Sequence, residues 1–128
     1  MKTAIRRDSW GIAHVEASDR QAAFEAQGWV AADDRIWQMD ADRIKAQGRW
    51  AEIVGAKGAK EDAFCRRMRL ADKCIGDWSL LAPEAKEMTE AYANGVNRWL
   101  QANKDQLPEE YDYHDLLPAT WEPWHCLA

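Results

Sequence analysis

Few of the chain's potentially catalytic residues have the sequence spacing that acid–base or nucleophilic catalysis requires. His14 and Glu16 alternate with small apolar residues, so both lie on one face of an extended segment, where a proton-transfer pair could form. An isolated pair of this kind is more often a structural hydrogen bond than a catalytic dyad. No spacing indicates a nucleophile–base pair for the serines, which are Ser9, Ser18 and Ser79. We therefore predict no catalytic residue in this chain.

A cluster of acidic residues is the first candidate for metal binding. Its members are Asp33, Asp34, Asp40 and Asp42. On a helix, Asp33 and Asp40 lie two turns apart, and the cations Arg35 and Arg43 are interleaved with them. This arrangement favours an ion-paired helix surface over a site for a hard cation.

Cysteine and histidine are the other candidate ligands. The three cysteines, Cys65, Cys74 and Cys126, are odd in number and form no C-x-x-C pair. Only His125 and Cys126 are adjacent, whereas a zinc site needs several such ligands in close pairs. The cysteines are predicted to be small buried hydrophobes in a reducing compartment. We predict neither a metal site nor a cofactor site in this chain.

Composition excludes two classes of function. The 128 residues contain 17 Lys+Arg and 22 Asp+Glu, a formal charge of −5, without a block of cations. Nucleic acid is therefore not an expected partner, because binding its phosphates requires clustered Lys and Arg. With 47% hydrophobic and 30% charged residues the chain is globular, and no stretch approaches the ~20 apolar residues of a membrane span.

The start of the chain bears on localisation. Residues 1–8 carry cations but are not followed by an apolar segment, so no secretory signal is recognised. Together with the unpaired cysteines, this favours the cytoplasm. A periplasmic or secreted location is the alternative if a signal has been removed.

Tryptophan is unusually frequent, with eight residues against five Tyr plus Phe. The eight are spread along the whole chain: Trp10, Trp29, Trp37, Trp50, Trp78, Trp99, Trp121 and Trp124. Each ring buries on the order of 200 Å² and needs a partner for its indole N–H, which is difficult for so many in one small helical domain. Either some rings form a ligand surface or they face a partner chain, and we favour the partner.

The pattern predicts one N-terminal strand followed by helices, in a single segment 1–128 without an internal linker. Residues 4–17 are predicted to be extended, and no other segment is an obvious pairing partner for them. Ser18 or Asp19 caps the first helix, and a second helix runs from about 32 to 46 and ends at Gly48. In the first helix, Gly28 allows close approach of another backbone or kinks the segment.

Further elements follow in the second half of the chain. A short helix over 50–54 ends at Gly55, 56–60 is a loop, and a basic helix runs from 62 to about 75. Pro83 occupies the N1 position of an amphipathic helix over 84–103, marked by apolar residues four and eight positions apart. Residues 105–125 hold three of the four prolines and are predicted to be irregular.

Six motifs, in order, resemble the penicillin acylase family of N-terminal-nucleophile (Ntn) hydrolases. Residues 7–15, RDSWGIAHV, are similar to the family's R-D-x-x-G-V-P-H-I start, with Ala13 in place of the usual proline. Residues 92–100, YANGVNRWL, are similar to its Y-A-x-G-x-N-x-W-I helix. The remaining similarity lies in ADDRIWQM at 32–39 with Arg43, QGRWAEIVG at 47–55 with Asp62 and Arg66-Arg67, LPEEY at 107–111, and WEPW at 121–124.

The resemblance implies a fold class and a partner. A precursor of this family cuts itself into an α chain and a larger β chain, and this sequence corresponds to the N-terminal part of the α chain. The fold is then a mostly α chain with one N-terminal β-strand, part of an Ntn-hydrolase αββα sandwich completed by the partner β chain. Asp8, Arg35, Asp62 and Arg66 are expected in buried or half-buried ion pairs.

The resemblance also implies where the chemistry lies. The nucleophile is a Ser, less often Cys or Thr, at the N-terminus of the β chain, whose own α-amine acts as the base. This chain begins at Met1, so no residue of it is a candidate nucleophile. The acyl pocket and the α-chain calcium ligand of the family lie beyond the position matching Ala128, which leaves a structural calcium ion open for the full enzyme.

Two functions are therefore to be tested. In the first, the chain is the scaffold of a heterodimeric amide hydrolase that cleaves linear N-acyl bonds, with penicillins, N-acyl homoserine lactones or other acylated amines as substrates. In the second, it is a stand-alone Trp-rich helical binding module without catalysis.

Overall fold

A computed structural model describes residues 3–128 and is mainly helical, with a β-hairpin at the N-terminal end. The elements are β1 Ala4–Arg7, β2 Ala13–Glu16, α1 Arg20–Ala46, α2 Ala51–Val54, α3 Ala59–Met68, α4 Leu70–Leu80, α5 Pro83–Ala102 and α6 Glu109–Tyr113. Two 3₁₀ turns, Gly55–Gly58 and Pro123–Leu127, complete them. Within these residues, no helix combines the length and the apolar character that crossing a bilayer requires. Met1, from which we predict that this chain has no N-terminal nucleophile, lies outside the described residues.

The segment predicted as one unpaired strand is a two-stranded antiparallel hairpin. Ile5 pairs with Val15 and Arg6 with His14. The chain reverses between Asp8 and Gly11. Gly11 has a φ of +79°, in the left-handed region that glycine adopts without strain. The prediction of a solitary strand is wrong, because the polar turn residues inside residues 4–17 let the segment pair with itself.

The span of α1 holds two helical segments that meet at a kink, so the two predicted helices are present, with the break at Arg35 instead of near residue 32. Asp19 caps it as expected, with its Oδ1 accepting a hydrogen bond of 2.8 Å from the Ala22 N–H. The irregularity lies at Arg35, whose φ of −150° and ψ of 27° are not helical. The helix ends before Gly48, which has a left-handed φ of +67° that a residue with a Cβ rarely adopts. A Cβ at this position would also clash with the Arg66 side chain.

The middle and the end of the chain are more regular than predicted. The single basic helix expected over 62–75 is two helices, α3 and α4, divided at Arg69, which has a left-handed φ of 53°. The predicted loop at 56–60 forms a 3₁₀ turn and the first turn of α3. Pro83 begins α5 as predicted, while the segment 105–125 contains α6 and most of the terminal 3₁₀ turn.

Helices α1 and α5 form the centre of the fold and contact each other backbone to backbone. A Cβ placed on Gly28 of α1 would lie 2.1 Å from the Tyr92 carbonyl oxygen, and one on Gly95 of α5 would lie 1.9 Å from that of Glu25. The core beside this contact consists of Ala32, Ile36, Ala93, Val96, Trp99, Tyr111 and Trp121. The close approach expected at Gly28 is confirmed.

A buried ion pair lies next to this core. Asp40 and Arg43, one turn apart on α1, are 4% and 7% exposed and bind each other. The Tyr111 hydroxyl, from α6, donates a 3.0 Å hydrogen bond to the second Asp40 oxygen. Burial and the adjacent Asp40 carboxylate raise the pKa of Tyr111 well above its usual value, so it remains a hydroxyl donor. These contacts join α6 to α1.

Gly95→Ala is expected to destabilise the protein by about 1–3 kcal/mol, because the added methyl group forces α1 and α5 apart. The matched control is Gly76→Ala in α4, where a Cβ meets nothing within 4 Å. That substitution should stabilise the helix by about 0.5–1 kcal/mol. Denaturant unfolding measures both, and equal effects of the two variants would contradict the backbone contact.

Arg43→Met is expected to cost about 3–5 kcal/mol, because it leaves the buried Asp40 carboxylate without a cation. Arg49→Met is the control, since Arg49 pairs with Glu52 on the surface with half of each side chain exposed, and such pairs contribute at most about 1 kcal/mol. The measurement is again the free energy of unfolding. A loss below about 1 kcal/mol for Arg43→Met would show that the buried pair is dispensable.

Candidate functional site

The turn of the hairpin is organised by Asp8. Its Oδ1 accepts hydrogen bonds from the N–H groups of Trp10 and Ile12, at 2.9 and 3.0 Å. Its Oδ2 lies 2.9 Å from His14 Nε2, and this contact, more than the two N–H groups, lowers the pKa of Asp8. His14 therefore pairs with Asp8, while Glu16 binds Arg6 across the hairpin. The two residues considered as a dyad do not contact each other.

Arg7 connects the hairpin to α1. Its guanidinium donates to both Asp33 and Asp34 at 2.7 Å and to the Gly11 carbonyl at 2.9 Å. The Trp99 indole of α5 donates to the second oxygen of Asp33 at 3.0 Å. The Trp99 and Arg7 hydrogen bonds, in that order, lower the pKa of Asp33. The hairpin, α1 and α5 therefore meet at one carboxylate.

The acidic cluster is ion-paired, as its sequence pattern predicted. Asp33 and Asp34 pair with Arg7, and Asp42 lies 3.6 Å from Lys45. Asp40 differs from the prediction in being buried instead of lying on the helix surface. Across residues 3–128, no three His, Cys, Asp or Glu side chains converge in a way that could hold a metal ion.

Of the four residues expected in ion pairs, only Asp8 has such a contact among the described residues, with His14, and it is an ion pair when that ring is protonated. Asp62 is buried but accepts hydrogen bonds from the backbone N–H groups of Trp50 and Ala51, at 2.7 and 2.8 Å. Arg66 donates to the Gly48 carbonyl at 2.7 Å, and Arg35 is exposed at the kink. The prediction is wrong for these three. Asp62 and Arg66 bind free backbone groups where α1 ends and α2 begins.

Ser18, Ser79 and Cys74 donate side-chain hydrogen bonds within the fold. Ser18 donates to Asp19, and Ser79 to the Gly76 carbonyl. Within the described residues, no hydrogen bond joins a serine hydroxyl to a histidine. Cys65 and Cys74 are buried as predicted, and burial raises the pKa of each thiol, whereas the prediction is wrong for Cys126, which is exposed.

Most tryptophan rings are placed inside the fold. Trp99 and Trp121 are buried. Five others, Trp29, Trp37, Trp50, Trp78 and Trp124, are half-buried. Trp10, at the tip of the hairpin, is 87% exposed. The small helical fold thus accommodates more of these rings than their number suggested, and the one largely exposed ring lies on the hairpin.

A pocket of about 420 Å³ lies between α1, α5 and the terminal 3₁₀ turn. Its apolar walls are Phe24, Met39, Met88, Tyr92 and Trp121, and Arg43, His125 and Cys126 are among its polar residues. This volume and mixture of groups are typical of ligand sites. Sequence reasoning considered His125 and Cys126 only as metal ligands, because the pocket depends on a helix crossing that no local pattern reveals.

His125 is the buried titratable group of this pocket, at 5% exposure. Its Nδ1 accepts a 2.8 Å hydrogen bond from the Glu122 N–H, and its ring packs against Trp121 and Trp124. Burial, followed by the charge of Arg43, lowers the pKa of His125 to about 4. The ring is consequently a neutral acceptor at pH 7.

Two hydrogen-bond donors of the pocket lack a strong acceptor. Arg43 Nε is buried and makes no hydrogen bond with any described residue, and the buried Trp121 Nε1 has only the nearby Cys126 thiol, a weak acceptor. The backbone of Trp121 is held in place by Asn97, which accepts from its N–H at 2.7 Å and donates to its carbonyl at 2.9 Å. The indole is therefore fixed in position at the wall of the pocket.

The depressed pKa of His125 predicts a loss of stability at acidic pH. The unfolded histidine binds a proton near pH 6.5 but the folded one only near pH 4, so the unfolded state binds more protons between these values. Stability should therefore fall as the pH falls through that window, by about 3 kcal/mol from this group.

His125→Asn is the comparison, because its side-chain oxygen can accept the same hydrogen bond without titrating. Unfolding free energies at pH 4.0 and 7.0 should differ less in this variant than in the wild type. Identical pH dependence of the two proteins would refute the assignment to His125.

Comparison with known proteins finds a matching family and several related enzymes. The model of the family described as penicillin amidase matches residues 2–128. Penicillin acylase 2 proenzyme of Pseudomonas sp. (strain SE83) is 44% identical over 124 residues, covering 97% of this chain and 16% of the relative. Acyl-homoserine lactone acylase QuiP of Pseudomonas putida is 34% identical over 120 residues, covering 94% and 15% respectively. The chain thus spans about a sixth of the length of these relatives.

A solved structure shares the fold. The thermostable penicillin G acylase from Alcaligenes faecalis superposes with a TM-score of 0.86 at 25% sequence identity, covering 98% of this chain and 68% of that one. The mostly helical architecture with its small sheet is therefore the one found in that enzyme chain. A family model that matches almost every residue, together with the identity to its members, shows that the chain belongs to the penicillin amidase family.

Proposed function

We propose that this chain is the N-terminal, α-chain part of a self-processed amide hydrolase that cleaves linear N-acyl bonds. The observation that carries the proposal is the 44% identity to a penicillin acylase proenzyme over nearly the whole chain. The acyl-homoserine lactone acylase relatives widen the substrate class to acylated amines in general. Penicillins, N-acyl homoserine lactones and other N-acyl amines are the substrates to test.

The nucleophile belongs to a partner β chain from the same precursor. Among residues 3–128, Ser18 and Ser79 hydrogen-bond to a carboxylate and a carbonyl, and no serine hydroxyl is bonded to a histidine. The two buried cysteines have raised pKa values, which disfavours the thiolate. A Ser, Cys or Thr at the N-terminus of the partner, with its own amine as base, would form the acyl-enzyme.

The role of this chain is to act as a scaffold. Both outer edges of the β1–β2 hairpin are free of strand partners among the described residues, and such edges pair readily with another sheet. The hairpin would extend a sheet of the αββα sandwich formed mainly by the β chain, with the helices outside. Residues 1–128 form one segment of that assembly. We further propose a cytoplasmic location, with export as the alternative, and a structural calcium ion only on the full enzyme.

The stand-alone binding module is the less supported function. It requires exposed rings, and only Trp10 of the eight tryptophans is largely exposed in the described part of the chain. Because that ring is at the tip of a hairpin with free edges, the same exposure supports a docking role equally well.

Expression of the complete gene should give two co-purifying chains and release of the free amine from N-acyl substrates. Intact mass and N-terminal sequencing identify the cleavage site, where a Ser, Cys or Thr should begin the larger chain. Replacing that residue with Ala should abolish both cleavage and hydrolysis. A single uncleaved chain that hydrolyses these substrates would contradict the proposal, as would a processed enzyme without amidase activity.

The scaffold role predicts a specific effect at Arg7. Arg7→Met removes both carboxylate contacts that connect the hairpin to α1, so unprocessed precursor should accumulate. The control is Arg6→Met, which removes only the exposed pair with Glu16 within the hairpin and should mature normally. Densitometry of precursor and mature chains measures the difference. Equal maturation of both variants would show that attachment of the hairpin through Arg7 is not needed.

A further inference from the structure

The outward side of α3 combines cations with exposed apolar side chains. Lys60, Phe64 and Arg67 follow one another at intervals of four and three residues, so they lie on one side of this helix, with Met68 next to them. We call these four residues the α3 face. Phe64 is 60% and Met68 42% exposed, whereas Cys65 on the other side of the helix is buried. Exposed apolar groups bordered by charges are typical of an interaction surface.

The charge around the α3 face is positive, although the chain as a whole is acidic. Residues 57–73 contain six Lys and Arg against three Asp and Glu, while the formal charge of the whole chain is −5. Within this range, the ion pairs of the described chain are limited to that of Arg69 with Asp72. Lys60 and Arg67 therefore have no carboxylate partner in the described chain, and both are exposed to an external anion.

The shape of the α3 face favours a lipid surface over a protein partner. A pocket of about 160 Å³ beside α3 is lined by Cys65 and Arg66 but by none of the four residues of the face. Protein partners usually anchor a few side chains in well-packed pockets. Lipid headgroups need no pocket, because flexible Lys and Arg side chains reach their phosphates while apolar neighbours enter the edge of the acyl layer. A bilayer that contains anionic lipid therefore complements both the charge and the shape of this face.

We propose that the α3 face binds peripherally to membranes that contain anionic phospholipid. Lys60 and Arg67 bind the headgroup phosphates, and Phe64 and Met68 contact the edge of the acyl layer. Glu61, next to Lys60 in the sequence, reduces the local positive charge, so the binding is weak, reversible and sensitive to salt. The inference goes beyond the proposed function and does not depend on it, because none of these residues has a role in amide hydrolysis.

Co-sedimentation of the complete, mature enzyme with lipid vesicles tests the proposal. The enzyme should bind vesicles of equal parts phosphatidylglycerol and phosphatidylcholine, and it should bind phosphatidylcholine vesicles at least about tenfold more weakly, because these lack net negative charge. Raising the NaCl concentration from about 0.05 M to about 0.5 M should release the enzyme, since salt screens exposed charges. Equal binding to both kinds of vesicle, or binding to neither, would overturn the proposal.

Variants of the α3 face locate the binding. Lys60→Gln combined with Arg67→Gln should weaken binding to the anionic vesicles about 30-fold, because each cation near such a surface contributes about fivefold. Phe64→Ser keeps the charge and should weaken binding about three- to tenfold through lost apolar contact. The matched control is Arg35→Gln combined with Lys104→Gln, the same change of charge at two exposed positions outside α3. An equal loss in this control would refute the assignment to α3.

Acetylation of Lys60 in the mature enzyme, followed by peptide mass spectrometry, shows what covers the face. Without vesicles Lys60 should react at nearly the rate measured in denaturant, and anionic vesicles should slow the reaction. Slow acetylation without vesicles would mean that another part of the enzyme covers α3, and slowing by polyglutamate but not by vesicles would assign the face to an acidic protein. Either result overturns the inference. Amide hydrolysis is measured on the same samples, so an active enzyme that binds no vesicles would refute the inference and leave the proposed function intact.

Discussion

The contact between α1 and α5 is the constraint on which the rest of the structure depends. Gly28 and Gly95 allow the two backbones to touch, and the polar contacts that follow require that spacing. Trp99 reaches Asp33 across the helix pair, and Asn97 positions the backbone of Trp121 from the same helix. A separation of the helices by the width of one methyl group would therefore disturb the core, the attachment of the hairpin and the wall of the pocket together.

Most buried polar groups of the described chain have hydrogen-bond or ion-pair partners within it, and two N–H groups do not have strong ones. Asp40 binds both Arg43 and Tyr111, and the buried Asp62 carboxylate accepts two backbone N–H groups. Such complete pairing is what burial of a charge requires. The exceptions within residues 3–128 are one N–H of Arg43 and one of Trp121, which has only the weak Cys126 thiol beside it.

The sequence predicts those features that depend on local chemistry. Asp19 as the N-cap of α1, Pro83 at the start of α5 and the end of α1 at Gly48 each follow from backbone groups within a few residues. The Arg69 break between α3 and α4 carries no such signal, since arginine is a good helix former and yet has a left-handed φ here. The pocket could not be predicted either, because its walls come from three elements up to a hundred residues apart. Motif order identified the family where single residues could not, because the chain itself carries no recognisable catalytic constellation.

The two ends of the described chain are attached to the helix pair by different forces. Trp121 and His125 are buried against α5 and Arg43, so apolar contact holds the terminal turn in place. The hairpin is instead attached through Arg7, whose guanidinium binds two half-exposed aspartates of α1 at once; solvent screens these pairs, but such a network holds more firmly than a single surface pair. Trp10 and Ile12 of its turn are 87% and 58% exposed. The geometry of the hairpin is thus set locally by Asp8 and Gly11, whereas its position on the helices depends on Arg7, because a two-stranded hairpin is at best marginally stable by itself.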